Sequence, residues 1–350
     1  MNLLRILLWP FSLVYGVIVF IRNKFYDWGW FKTNQFAIPI ISVGNLEVGG
    51  SGKTPMVAYL IDLLQNRYKI ATLSRGYGRK TKGFRWVKPD DHALETGDEA
   101  LQLKQKFPNI AVAVCENRVL GVQEIKRQHQ LILLDDAYQH RALKPGLSIL
   151  LFDYHHIKKP KLLLPAGNYR EPFGGRKRAD IMIITKSPAN ISSAERQIIA
   201  QDLNPYPYQK IFFSQIVYAQ NLIQIFTKQA FNLAQITPKT TVFLLTGIAK
   251  TAPLIQEIKK YSQQIIHHAY ADHHQFSSKN MLKLVSEFNH LAVADKIIIT
   301  TEKDAVRLQS AEIYQLIKNL PVYQWPISVD FNEDDKKEFD QLIEDYAHTI

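Results

Sequence analysis

The chain has a single cysteine, Cys115, so no intramolecular disulfide can form and the fold must be held by its core rather than by oxidation. A reducing compartment and a small, buried apolar role for that thiol follow. Internal repeats and low-complexity tracts are also absent, which excludes solenoid and linker-like architectures. Acidic residues number 32 against 43 Lys plus Arg, and the resulting formal charge of +11 calls for an anionic partner. Nucleic acid, a phospholipid surface and a phosphorylated small molecule all satisfy that charge, and charge alone does not choose among them. With 350 residues, 46% of them hydrophobic, there is material for two cores.

One long apolar run stands out. LLRILLWPFSLVYGVIVFI, Leu3 to Ile21, is broken only by Arg5, Pro10, Ser12 and Gly16, and Trp28, Trp30 and Phe31 follow it among Arg22, Lys24 and Lys32. Aromatics and cations flanking an apolar helix mark a bilayer interface. A spanning helix needs about 20 apolar residues, and the charge-free part here is shorter and carries a proline. A helix lying in or dipping into one leaflet therefore stands beside a spanning one. A helix packed on its own domain is a third reading, and a secretory signal would need a small-residue cleavage site that is not found. Either membrane reading leaves the bulk of the chain in the cytosol.

After Phe36 short β-rich runs alternate with amphipathic ones: AIPIISVG, KIATLS, IAVAV, LILLDD, LSILLFD and IMIITK. This rhythm predicts an α/β fold with a mostly parallel sheet covered by helices on both faces. A polar, proline-punctuated stretch from Pro188 to Tyr208 and a β-like run, IFFSQIVY, suggest a connection. A second set then begins with TVFLLTGI, IIHHAYAD and KIIITTEKDAVRL and ends near PVYQWPISVDF. The expected division is an N-terminal membrane-associated helix over 1–35, a nucleotide-binding core over 36–187, a connection over 188–235 and a smaller α/β domain over 236–350. The acidic end, FNEDDKKEFDQLIEDYA, has the pattern of a solvated amphipathic helix.

ISVGNLEVGGSGKTP, Ile41 to Pro55, carries the chemistry. Strand, glycine-rich turn and helix follow one another, so backbone N–H groups would point at phosphate from a helix N-terminus. Gly49, Gly50, Ser51 and Gly52 would form the cradle, Lys53 would reach the terminal phosphates and Thr54 would offer its hydroxyl to Mg²⁺. ATP with Mg²⁺ is the expected pair. The first glycine of the general pattern is missing, because Glu47 occupies its place. A loop of this kind needs an acid at the end of a neighbouring strand for the metal, and LILLDD supplies Asp135 and Asp136.

Beyond the loop, GNLEVGGSGKTP, SRGYGR, TGDEA, ENR, DDAYQHR, LPAGNYREP, RAD, ADHHQF and TTEKDAVRL occur in this order. Together they resemble the tetraacyldisaccharide 4'-kinase family, the lipid A 4'-kinases of Gram-negative bacteria, over nearly the whole chain including the apolar N-terminus. The resemblance implies a P-loop core and transfer of the ATP γ-phosphoryl group to the 4'-hydroxyl of a tetraacylated glucosamine disaccharide 1-phosphate. It implies work at the cytoplasmic face of the inner membrane, the chain being peripheral or monotopic through its N-terminal helix. It further implies Asp98 of TGDEA as the base, working with His273 of ADHHQF from the second domain, so that closure of the two domains would be needed. Asp98 also suits a helix cap before ALQLKQKF, and Glu99 would reach metal or face solvent. Asp272 and the guanidinium groups of Arg75, Arg79, Arg118 and Arg170 match positions expected to contact ATP or the substrate phosphate. Two departures are visible. Glu47 stands where the family usually has a small residue, adding negative charge beside the phosphates. Ala137 replaces a glycine in DDAYQH, so the backbone there must avoid positive φ.

Rival readings are a membrane-attached P-loop ATPase switch and a nucleic-acid binder. A guanine-reading switch would want an acid where Pro188 follows TKS, and a DxxG motif that DDAYQH lacks. No nucleic-acid module accompanies the charge, and no obligate protein partner is expected. His267, His268, His273 and His274 with Asp272 resemble a zinc cluster only superficially, since two adjacent pairs do not close a tetrahedral set. His155 and His156 are expected in a surface loop, and the basic runs at 158–161 and 176–178 suit lipid headgroups or a solvated face.

Overall fold

In the computed structural model, Arg5 and residues 7–348 are described. Leu3, Leu4 and Ile6 of the apolar run lie outside that set. The first helix, α1 (Trp9–Asp27), starts at a turn with proline in its first helical positions, where a missing N–H costs nothing. Two sheets follow.

The larger sheet has nine strands: β1 (Ile40–Asn45), β2 (Ile70–Ser74), β3 (Arg85–Trp86), β4 (Ala111–Val114), β5 (Leu131–Asp135), β6 (Leu147–Asp153), β7 (Ile181–Thr185), β8 (Lys210–Tyr218) and β15 (Ile327–Phe331). Their order is β15-β8-β7-β6-β1-β5-β2-β4-β3, parallel throughout except for the two edge strands. The middle strands are buried from end to end because helices cover both faces. These helices are α2 (Lys53–Leu64), α3 (Ala93–Thr96), α4 (Asp98–Lys106), α5 (Arg118–Ile125) and α6 (Ser193–Leu203). Registers Val43↔Asp135 and Asn45↔Leu151 bring the carboxyl ends of β1, β5 and β6 side by side. Ligands of open α/β sheets bind beyond that edge.

The smaller sheet, ordered β10-β9-β14-β13-β11-β12, contains β9 (Asn221–Gln224), β10 (Ala230–Asn232), β11 (Thr241–Thr246), β12 (Gln264–Ala269), β13 (Lys296–Thr301) and β14 (Val322–Trp325). Its helices are α7 (Ala252–Ile258), α8 (Ser278–His290), α9 (Glu302–Arg307) and α10 (Ala311–Ile317).

Sheet membership departs from the expected division in two places. IFFSQIVY, placed in the connection, is β8 and pairs with β7 inside the larger sheet. The chain also leaves the smaller sheet after β14 and comes back: β15 pairs antiparallel with β8, and α11 (Glu333–His348) packs Phe339, Ile343 and Ala347 into the larger core. The acidic end is thus amphipathic as its pattern requires, and its apolar stripe belongs to the nucleotide-loop unit rather than to the unit just before it in sequence.

Helix α1 turns its apolar side outward. Val14, Val17 and Ile18 are 61%, 56% and 61% exposed, whereas Val19 is buried. The face against the protein is polar: Ser12 Oγ donates to Leu163 O, Tyr15 Oη donates to Arg170 O, Asn23 Nδ2 donates to Glu171, and Arg141 reaches both Asn23 O and Asp27. Gly16 sits on this face because a Cβ there would meet Leu163 Cδ1 at 2.8 Å. Among the described residues, no helix is long and apolar enough to cross a membrane.

Candidate active site

β1 ends at Asn45 and the chain turns through Gly49 to Gly52 into α2. Gly52 takes φ 86° and Gly49 takes φ 114°, values that L side chains rarely adopt, so the sharp turn onto the helix depends on glycine. Lys53 Nζ donates to Asn45 Oδ1 at 3.4 Å and lies 3.7 Å from Asp136. Thr54 Oγ1 is 3.4 Å from Asp135 Oδ2. The loop is braced from below: Asn45 Nδ2 donates to Ser51 Oγ, Thr185 Oγ1 donates to Ser51 O, and Lys186 Nζ donates to Gly50 O.

Glu47 is buried and paired. Its carboxylate meets His156 Nδ1 at 3.3 Å and the hydroxyl of Tyr169, and burial with that hydrogen bond pushes the Tyr169 phenol far up. His156, expected on a free surface loop, is half-buried for this reason and accepts from Lys250 Nζ at 3.0 Å. Lys250, from the smaller unit, also joins Lys186 on Asp153 at 3.1 and 3.0 Å. Burial alone would raise the Asp153 carboxyl, but the two ammonium groups more than offset it and hold it at about 2.

The two acids at the end of β5 have opposite environments. Asp135 is buried, and burial with the nearby Glu99 charge pushes it up to about 7. Nothing among the described residues hydrogen-bonds its buried Oδ1. Asp136 would also be raised by burial, but Lys53 and Arg170 hold it below its ordinary value. Arg170 Nη1 spans both of its oxygens at 2.9 and 3.0 Å. A buried acid with an orphan oxygen beside a threonine hydroxyl fits a divalent cation. Among the described residues no three His, Cys, Asp or Glu form a group that could by itself hold a metal ion. The DDAYQH turn takes its positive φ of 48° at Asp136, leaving Ala137 in ordinary backbone. Gly44 permits this packing, since a Cβ there would lie 2.6 Å from Tyr138 Cβ.

Asp98 opens α4 and faces the smaller unit. His273 Nδ1 is 3.1 Å from Asp98 Oδ2, and Arg307 donates to the same oxygen through Nε at 2.9 Å and Nη2 at 2.5 Å. Burial acts to raise this carboxyl, but hydrogen bonds from His273 and Arg307 outweigh it and hold it below the usual range. Lys303 Nζ lies 3.1 Å from His273 Nε2 and 3.5 Å from Glu99. A lysine ammonium only donates, so Nε2 accepts from Lys303, while Nδ1 faces Asp98 Oδ2 and also lies 3.4 Å from Arg307 Nη2. His273 itself has φ 59°, fixed by its N–H donating to Gly247 O and by Asp272. The interface extends along α4 and α9 through Lys106 to Glu302 and Gln105 to Gln309.

Of the expected arginines, Arg170 alone meets an acidic side chain of the loop site. Arg118 is buried under the same turn, donating to Glu116 O and Asp136 O, and burial lowers it to about 10, which leaves it charged at neutral pH. Arg79 is engaged by Glu116 and Gly83 O. Arg75 is exposed, and its charge is felt at Arg118 and His140. Asp272 caps the His273 N–H and is otherwise exposed. The other histidines turn to different partners: His267 to Thr246, His268 to Glu287, His274 to Asn280. Arg307, Lys303, Lys250, Lys186 and Asp153 were not singled out from sequence. A signal existed for the first two, since Lys303 and Arg307 are four apart in TTEKDAVRL and share one helix face. Lys250 and Asp153 carry no such local mark.

Residues 4–348 match the family described as tetraacyldisaccharide-1-P 4'-kinase. A Phocaeicola vulgatus protein named tetraacyldisaccharide 4'-kinase is 43% identical over 99% of this chain and 96% of its own. One of the same name from Bacteroides thetaiotaomicron is 41% identical over 97% of this chain and 92% of its own. The crystal structure of LpxK from Aquifex aeolicus in complex with ATP is similar with a TM-score of 0.74 at 27% identity, covering 99% of this chain and 100% of that one. With a family match spanning nearly the full length and relatives of this identity, the chain belongs to the tetraacyldisaccharide 4'-kinase family.

Proposed function

We propose that the chain transfers the γ-phosphoryl group of ATP to the 4'-hydroxyl of a tetraacylated glucosamine disaccharide 1-phosphate at the cytoplasmic face of the inner membrane. The observation that carries this reading is the meeting of Asp98 with His273 across the two units, on a helix whose next residue, Glu99, is felt electrostatically at Asp135 of the phosphate loop site. A phosphoryl acceptor must shed its proton as it attacks, and the transferred group must be surrounded by cations. Asp98 would take the proton, with His273 orienting the carboxylate. The N–H groups of Gly49 to Thr54 and the ammonium of Lys53 would hold the β- and γ-phosphates. Thr54, Asp135, Asp136 and Glu99 would hold Mg²⁺, which when bound would neutralise negative charge on the phosphates. Arg170, Arg118, Arg75, Arg79 and Asp272 would surround the substrate phosphate or the transferring group, Arg118 through the turn it supports.

The outward apolar face of α1, with Trp28, Trp30 and Phe31 beyond its end, would lie in one leaflet and present the acylated substrate to the site. Residues 1–35 would then act as the anchor, the larger sheet with β8, β15 and α11 as the nucleotide core, and the smaller sheet with its helices as the closing domain.

Incubating the purified protein with γ-labelled ATP and either acyl-disaccharide 1-phosphate or buffer tests the reaction. Label is expected on the lipid. Release of free phosphate with unlabelled lipid would favour the membrane-attached ATPase switch instead.

A further inference from the structure

We propose that Arg307 is a positioning residue for phosphoryl transfer, one that loads every hydrogen bond onto Asp98 Oδ2 and so leaves Oδ1 as the atom that accepts the substrate proton. This rests on Asp98 being the base. All three donors near the carboxylate, His273 Nδ1 and Arg307 Nε and Nη2, fall on Oδ2. Among the described residues no hydrogen bond falls on Oδ1.

The guanidinium cannot rotate away from this task. Its side chain is fully buried, and Nη1 is taken by Gly247 O at 3.0 Å and by Asp304 Oδ1 at 2.9 Å. Asp304 is itself held by Gly247 N–H and Thr301 Oγ1. The planar fork thus transmits the position of the β11 end, and of the loop bearing His273, to a carboxylate on the other unit. In the transfer step the acceptor O–H bond breaks and its proton joins Oδ1, the acceptor oxygen forms the new P–O bond, and the bond from the γ-phosphorus to the β,γ-bridging oxygen breaks with its electron pair leaving on ADP. A loose transition state asks little basicity of the acceptor but does ask for an anion in the right place. Arg307 meets both demands by lying directly against the carboxylate and by fixing which oxygen is free.

The test is a double-mutant cycle of Arg307→Met and Asp98→Asn, read as kcat and as KM for ATP with the acyl-disaccharide in mixed micelles. We expect Arg307→Met to lower kcat by roughly 10²-fold, the scale of misplacing a reacting group by about 1 Å, while KM for ATP changes less than about 3-fold. In the Asp98→Asn background the same substitution is expected to cost nothing further, because its effect passes through that carboxylate. Arg307→Lys should recover only part of kcat, one ammonium being unable to hold Oδ2 and Gly247 O together. Multiplicative losses in the cycle, or a fall in kcat matched by loss of ATP affinity and of thermal stability, would overturn the proposal in favour of a scaffolding role. If Asp98→Asn alone keeps its kcat, the base assignment fails first and this inference with it. If Asp98→Asn is inactive while Arg307→Met turns over normally, only this inference fails.

Discussion

Asp136, Lys186 and His273 all sit at positive φ without being glycine, a conformation that costs L residues roughly 1–2 kcal/mol each. The surrounding bonds hold each of them there: Arg170 on Asp136, Asp153 on Lys186, Gly247 O and Asp272 on His273. At this scale the acids divide the work. Asp98→Ala is expected to cripple turnover by 10²-fold or more, within the range of general-base removal, and to leave ATP binding nearly intact, whereas Lys53→Ala should weaken both. Equal loss of nucleotide binding in the two variants, measured by calorimetry, would count against Asp98 as base. Asp153 makes a pH prediction. Its folded value of about 2 lies below the ordinary 3.8, so its stabilising contribution is complete above the ordinary value and is lost as pH falls through the folded one. Replacing Lys186 and Lys250 together by Met should therefore move the acid-unfolding midpoint upward, as followed by far-ultraviolet circular dichroism. An unchanged midpoint would show that the two ammonium groups do not hold this carboxylate in solution.

Among the elements, α1 inverts the usual arrangement of a surface helix. Ser12, Tyr15, Gly16 and Asn23 recur at helical spacing and face the protein, while Val14, Val17 and Ile18 face outward. A helix docked by hydrogen bonds and exposing its apolar face gains by burying that face in lipid, about 25 cal/mol per Å². Val14→Glu with Ile18→Glu should abolish sedimentation with anionic vesicles and leave ATP binding and the melting temperature unchanged. Tyr15→Phe should do the reverse, costing about 1 kcal/mol of stability for the lost bond to Arg170 O while vesicle binding persists. The apolar run was visible in sequence, but the polar positions inside it looked like interruptions. Only their common contact with residues 163–171 reveals them as a docking face.

Over the whole molecule, the chain crosses from the larger sheet to the smaller one and returns. Phe339 on α11 is fully buried with Phe212, Phe331 and Tyr59, so the last helix completes the core beneath α2. Phe339→Ala should cost about 3–5 kcal/mol and lower the denaturant midpoint of the nucleotide-loop unit, with ATP binding lost in the same transition. A loss confined to the smaller sheet would contradict this packing. The return also ties the units at two ends, through β15 against β8 and through Arg307 against Asp98, so any closing motion takes place between fixed connections.

The buried strands, the glycine turn into α2 and the acids ending β5 were legible because each is a local pattern: continuous apolar runs, special φ and a charge at a strand end all lie within about ten residues. The same holds for the family, whose motifs are short and ordered. Asp98 and His273 could be named and paired from that likeness, but no local pattern in the chain joins them. The amino-acid sequence by itself determined which segments form strands and helices and where phosphate can sit. Tertiary structure alone decided that Arg307 loads one oxygen of Asp98, that Lys250 reaches Asp153, that Glu47 is paired, and that the final helix belongs to the first core. Those are pairings between residues 97 to 280 or more positions apart, and no periodicity in the chain encodes a partner at such a distance. Only the order of strands in the two sheets brings them together.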